Sequence, residues 1–223
     1  MKISKVNKNF DKFSLYIDAF ETTEHKIHGI IGPNGCGKTT AMKIMAGLLE
    51  PDSGRIDYGS LTPLDITMVF RKPYLICDTV LHNLVYPLKI RKIKPDDKLI
   101  EHYLEIAGLQ DRRNQYAPGL SGGEQQKLAL VRAMIFSPKL IFVDEAFSNM
   151  DIKSVAFFEN YILDMQKIKP ITWVMISHQL SSIKRLCDYV YFIHNGQIEC
   201  HGKPDKLLQN SESTNLKKYL HYT

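Results

Sequence analysis

Gly32-Pro33-Asn34-Gly35-Cys36-Gly37-Lys38-Thr39 fits the spacing G-x-x-x-x-G-K-[ST] without a gap, and Thr40 follows it. Glycines at those positions let backbone N–H groups turn inward around phosphate oxygens, and a helix starting at the lysine adds its positive end. Lys38 can reach β- and γ-phosphates, and the Thr39 hydroxyl can ligate Mg²⁺. Asp144-Glu145 follows the apolar run Leu140-Ile141-Phe142-Val143, 106 residues after Lys38. An acid at such a strand end can hold Mg²⁺, and its neighbour can polarise a water for attack on a γ-phosphate. A third feature is Leu120-Ser121-Gly122-Gly123-Glu124-Gln125-Gln126. Ser121 and Glu124 have capping-box spacing, and Gly122 and Gly123 bare further N–H groups at a helix start, a second anion site. Two phosphate sites so far apart in one chain suggest that they meet across a dimer.

Strands and helices must alternate to position these groups. Lys26 to Ile31 is a short apolar strand running into the glycine turn, and a helix is expected from Lys38 to a C-cap at Gly47. Leu64 to Phe70, Leu140 to Val143 and Ile171 to Ile176 are further expected strands, the second apolar throughout and therefore central. Tyr189 to Ile193 and Gln197 to Cys200 flank His194-Asn195-Gly196, a hairpin signal. From Pro73 to Phe136 the pattern is mainly helical, with Pro87, Pro95 and Pro118 expected to break it into short helices. A last helix is expected over Asn215 to His221.

Composition sets outer limits. The 223 residues include 29 Lys or Arg against 24 Asp or Glu, a net charge of +5, with 44% hydrophobic residues. Those are globular proportions, not those of a disordered chain, a collagen-like repeat or a disulfide scaffold. The longest stretch without a charged residue, Pro170 to Ile183, is fourteen residues long and too polar to span a bilayer. The start, Met1 to Lys5, lacks a signal-peptide core, so a soluble cytosolic chain is expected. Cys36, Cys77, Cys187 and Cys200 have no metal-site spacing and are expected to be reduced thiols. The excess positive charge is too dilute for a nucleic-acid face.

With these motifs together, nearly the whole chain resembles the ATP-binding cassette ATPases of ABC transporters. Leu120 to Gln125 matches the family signature, Gly123 lying 21 residues before Asp144. Ser177-His178, 34 residues after Asp144, matches the family's switch histidine. Ser148-Asn149-Met150-Asp151 stands in the D-loop position, and Thr79-Val80 and Asn83 resemble the start of the helical subdomain.

The resemblance implies an α/β fold: a P-loop NTPase core of mixed sheet with helices, an inserted helical subdomain and an N-terminal antiparallel β segment. One domain over 1–223 is expected, with residues 1–72 and 137–223 as core and 73–136 as the signature subdomain. ATP would be held by Phe10, Asn34, Gly35, Cys36, Gly37, Lys38, Thr39 and Thr40, and Mg²⁺ by Thr39 and Asp144. Ser121, Gly122 and Gly123 would act from the other subunit of an ATP-induced, head-to-tail homodimer. Glu145 is implied as the base, with His178 contacting the γ-phosphate and fixing the attacking water. Phe10, 28 residues before Lys38, is the candidate for stacking on adenine, with Phe13 its competitor.

Two departures stand out. Arg71, in Met68-Val69-Phe70-Arg71-Lys72-Pro73, occupies the place of the family's Q-loop glutamine, and arginine has no oxygen for a metal. It can pair with the γ-phosphate, with Glu145 or with a partner's acid, or turn to solvent. Retraction is the expectation without nucleotide. The D-loop has Asn149-Met150 for the usual small and aliphatic pair.

The implied function is ATP hydrolysis energising a bacterial-type importer. Its partners would be integral membrane permeases and a substrate-binding protein, with no nucleic acid, and the chain would sit peripherally on the cytoplasmic face of the membrane. Thr79 to Arg91 and the short N-terminal segment resemble tungstate- or molybdate-type importers. The chain ends too soon after the cassette for an added regulatory domain. A soluble cassette acting on DNA or ribosomes is the alternative, but the 83 residues from Lys38 to Ser121 leave no room for a long coiled coil. An ATP-binding switch with weak hydrolysis is the other, supported by Arg71.

Overall fold

The computed structural model describes residues 1–209 and 211–222. In chain order the strands are β1 (Lys2–Phe10), β2 (Phe13–Glu21), β3 (Ile27–Ile31), β4 (Ser53–Asp57), β5 (Ile66–Val69), β6 (Leu140–Asp144), β7 (Thr172–Ile176), β8 (Tyr189–His194) and β9 (Gln197–Gly202). They form one mixed sheet in the order β4-β1-β2-β9-β8-β3-β7-β6-β5. From β8 to β5 the strands run parallel, and antiparallel β1, β2 and β4 join through one parallel pair between β2 and β9, Tyr16 with Gln197.

β3, β6 and β7 are buried at every residue, so their unbroken apolar runs cover two faces at once. The two-residue period divides them between two cores. Ile141 and Val143 of β6 and Trp173 and Met175 of β7 enter one core, with α4 (Gly122–Met134) and α5 (Ile152–Ile168). Leu140, Phe142, Val174 and Ile176 enter the other, with α1 (Lys38–Met45) and the β1–β2 hairpin. Each such side chain contributes about 1.5–3 kcal/mol on burial.

Between β5 and β6 lie α2 (Val80–Ile90), α3 (Asp97–Ala107) and α4. Thr79 caps α2 by accepting from His82 N, Asp96 caps α3 by accepting from Lys98 N, and Gly108 ends α3 in a left-handed conformation. Pro87 does not break α2, contrary to expectation: the helix continues to Ile90. A proline there forfeits the bond to the Asn83 carbonyl, which burial of Val80, Leu84 and Leu88 outweighs. The strand expected from Leu64 begins at Ile66, because Pro63–Asp65 is a 3₁₀ turn closed by a Thr62–Asp65 capping box. The chain ends in α6 (Leu180–Leu186), α7 (Pro204–Gln209) and α8 (Thr214–His221). No described helix is long and apolar enough to cross a membrane.

Candidate nucleotide site

β3 delivers the chain to the glycine loop. A Cβ on Gly32 would run into the Ile193 carbonyl oxygen, and one on Gly37, at φ +104°, would sit 2.7 Å from Phe13 Cζ. Gly196 N, in the β8–β9 turn, donates to Cys36 O at 3.1 Å and braces the loop from behind. Lys38 opens α1 with its side chain folded back into the loop, Nζ donating to the Gly32 and Pro33 carbonyls, 2.8 Å each. Burial holds its pKa below the ordinary lysine value, while Cys36, Glu145 and Asp144 oppose that shift. Asn34 and Gly35 are exposed at the loop tip, Cys36 is buried beneath it, and Thr40 is half-buried.

Thr39 Oγ1 donates to Asp144 Oδ1 at 3.2 Å. Asp144 is 4% exposed, and burial pushes its pKa above the usual carboxylate range despite the Thr39 hydroxyl. A buried carboxylate beside a threonine hydroxyl is a donor set that suits a hard divalent cation. Glu145 follows in a left-handed conformation, φ +49°, and its N–H donates to Ile176 O of β7 at 3.1 Å. That bond ties it to the strand whose continuation carries His178. His178 Nε2 lies 2.8 Å from Glu145 Oε1, and Arg71 Nε lies 3.3 Å from Oε2. Retraction of Arg71 is therefore corrected: without nucleotide it reaches the Glu145 carboxylate. Strand β5 ends two residues before it and parallels β6, so both residues leave the same sheet edge side by side.

Phe10 and Phe13 have ring centroids 6.4 Å apart, near parallel at 28°. Phe10 is 46% exposed at the end of β1. Phe13 backs Gly37 and lines a cavity of about 460 Å³ with Lys12, Asn34 and Cys36, which Phe10 does not reach. Ser121 caps α4, accepting from Glu124 N at 3.4 Å and donating to Glu124 Oε2 at 2.8 Å. Those bonds, helped by Arg112, hold the Glu124 carboxyl below its usual range. Gly123 lies against the Asn149 carbonyl, so the signature residues abut the D-loop segment of the same chain while Ser121 and Gly122 face outward. Lys38, Thr39, Asp144, Glu145 and His178 are thus gathered at the carboxyl ends of β3, β6 and β7, and Ser121 to Gly123 stand apart on α4.

Sequence reasoning missed Gln126. It is fully buried, Nε2 donates to Phe70 O at 3.2 Å, and Oε1 has no hydrogen-bond partner among the described residues. A glutamine one turn inside an apolar helix face was the available signal.

Residues 17–148 match the family described as ABC transporter. The tungstate uptake system ATP-binding protein TupC of Peptoclostridium acidaminophilum is 32% identical over 203 residues, 88% of this chain and 95% of that protein. The methionine import ATP-binding protein MetN of Chlamydia felis is 30% identical over 240 residues, 99% of this chain and 71% of that one. Among solved structures, a nucleotide-free ATP-binding cassette from an ABC transporter superposes with a TM-score of 0.78 at 26% identity, covering 98% of this chain and 97% of that one. A dimeric cassette in a post-hydrolysis state bound to ADP and Pi shares the fold, with a TM-score of 0.80 at 24% identity over 91% of this chain and 98% of that one.

Proposed function

The chain belongs to the ABC transporter family as an ATPase of its importer branch, and we propose that it hydrolyses ATP to drive uptake through separate membrane permeases. Convergence of Lys38, Thr39, Asp144, Glu145 and His178 at three neighbouring strand ends is the observation that carries this. Lys38 leaves its two loop carbonyls for phosphate oxygens, a stronger charge-assisted pairing. Thr39 and Asp144 would hold Mg²⁺, which when bound neutralises phosphate charge. Glu145 Oε2 or Oε1 accepts the proton of the attacking water, and His178 Nε2 orients that carboxylate and the water. Phe13, with Phe10 beyond it, offers an aromatic surface for adenine beside the loop.

Ser121, Gly122 and Gly123 lie apart from their own chain's phosphate loop, with free N–H groups at the start of α4. They suit a head-to-tail homodimer in which each copy completes the other's site. Leu48, Leu64, Tyr74 and Ile90 are large apolar side chains more than half exposed around two grooves of about 430 and 150 Å³. Such a surface favours a protein partner, and a permease there would hold the chain at the cytoplasmic face of the membrane. Tungstate or a related oxyanion is the cargo we favour, because the likeness to the tungstate uptake protein spans nearly all of both chains.

The test is reconstitution of the chain with its permeases in vesicles. Turnover stimulated by binding protein loaded with tungstate, and not with methionine, supports the oxyanion assignment. Stimulation by methionine overturns that assignment, and absence of any ATP turnover overturns the importer ATPase.

A further inference from the structure

Glu145 is gripped on both oxygens, by His178 Nε2 at 2.8 Å and by Arg71 Nε at 3.3 Å. Its side chain is 9% exposed, and its backbone is pinned to Ile176 O, so these two donors decide how the carboxylate is turned. Their grips differ in kind. His178 stands on the adjacent strand end, whereas Arg71 reaches in from a loop with 65% of its side chain exposed. A charge pair that exposed is weak, and a weak pair can be released.

The backbone on either side of Arg71 is held elsewhere. Phe70 O accepts from Gln126 and Tyr74 O from Arg132 Nη2 at 2.6 Å, both on α4, the helix that begins with the signature residues. The Phe70 and Tyr74 rings meet edge to face, centroids 5.4 Å apart, and line the groove between β5 and α2. Arg71 therefore points at the carboxylate while its neighbours form the wall of the groove, on a segment anchored to α4. A shift of α4, or of anything seated in the groove, moves the guanidinium relative to Glu145.

We infer that Arg71 is a releasable latch: it holds Glu145 away from the attacking water in the resting chain, and displacement of the 70–74 segment by a partner in the groove frees it. Arg71 is a positioning residue, acting through Glu145 and touching neither water nor phosphate. The inference rests on Glu145 being the base.

ATP turnover of the isolated full chain tests it, with Arg71→Met, Arg71→Lys and Glu145→Gln measured beside the parent. Methionine keeps the length and removes the charge without adding a metal ligand, which glutamine would do. The latch predicts that Arg71→Met raises basal kcat about two- to fivefold, the size of an exposed ion pair, with KM for ATP unchanged. Arg71→Lys returns kcat toward the parent. An unchanged or lower kcat in Arg71→Met overturns the latch, as does a tenfold rise in KM, which would put Arg71 on the phosphates. Parental turnover in Glu145→Gln removes the base assignment and the latch together. Loss of turnover in Glu145→Gln with parental kcat in Arg71→Met removes the latch alone.

Melting of the nucleotide-free proteins gives a second readout. Arg71→Met should lower the midpoint by about 1–3 °C in the parent and by less than half as much in the Glu145→Gln background. Additive shifts would mean that the two residues do not interact.

Discussion

Removing the Lys38 ammonium separates nucleotide binding from folding. In the nucleotide-free chain Nζ has two neutral acceptors, the carbonyls of Gly32 and Pro33, and the residue is 6% exposed. Binding exchanges those carbonyls for phosphate oxygens, and only the difference between the two sets contributes to affinity. A hydrogen bond between two charged groups exceeds one to a neutral acceptor by roughly 2–3 kcal/mol in a water-poor loop. Lys38→Ala should therefore weaken ATP about 30- to 150-fold. The fold should survive, because the two carbonyls lie at the loop mouth where water replaces the ammonium. A loss of about 1 kcal/mol corresponds to roughly 2–4 °C in a chain of this size. Titration with a fluorescent ATP analogue, beside a melting curve, reads both quantities. A folded Lys38→Ala protein that binds ATP within threefold of the parent would refute the phosphate assignment of this loop.

Glu145→Gln should keep ATP affinity within about threefold, cut turnover more than 100-fold and accumulate a dimer on size exclusion with ATP; a protein that stays monomeric with saturating ATP and permeases present would count against the shared site. Gly37→Ala places a methyl 2.7 Å from Phe13 Cζ at φ +104° and should cost about 1–3 kcal/mol of stability as well as weaken ATP, read by denaturant midpoints. Trp173→Ala removes a fully buried indole whose Nε1 donates to Gln166, for a loss of about 3–5 kcal/mol in the same assay. With a thiol reagent at pH 8, exposed Cys77 should react first. Burial pushes the Cys36 and Cys187 thiols up, so they should react only as the chain unfolds; early labelling of Cys187 would contradict the packing of β3 against α6.

Chemistry and central strands were the most legible parts of this sequence. β3, β6 and β7 read as strands because burial on both faces demands an unbroken apolar run, and the β8–β9 turn read from Asn195-Gly196, both of which take positive φ. β1 was harder to delimit: its buried Ile3 and Val6 are three apart, because a register shift near Lys5, at φ +52°, rephases the strand against β4. The longest helix, α5, also went unread, since its buried positions Val155, Phe158, Glu159 and Ile162 include a carboxylate paired with Arg185. At the site, residue types were legible and their grips were not. Nothing in Phe70-Arg71-Lys72 says that its guanidinium meets Glu145, because that distance is set by the parallel register of β5 on β6 and by α4 holding the loop.

The pairing of β3 has a consequence for how the chain is made. Its two neighbours are β7 and β8, so the strand that leads into the phosphate loop waits for partners encoded about 160 residues later. At ~5–20 residues per second of elongation that wait is roughly 8–30 s. Throughout it an apolar strand stays unpaired on the ribosome, the exposure that invites aggregation in proteins rich in distant pairings. A nascent chain halted before Tyr189 cannot assemble the sheet around β3, and should be held by chaperones or lost to proteolysis. A halt beyond Gly202 releases a chain with every strand in place. Synthesis of this protein is therefore vulnerable late, and its nucleotide loop, though encoded early, is among the last parts to take shape.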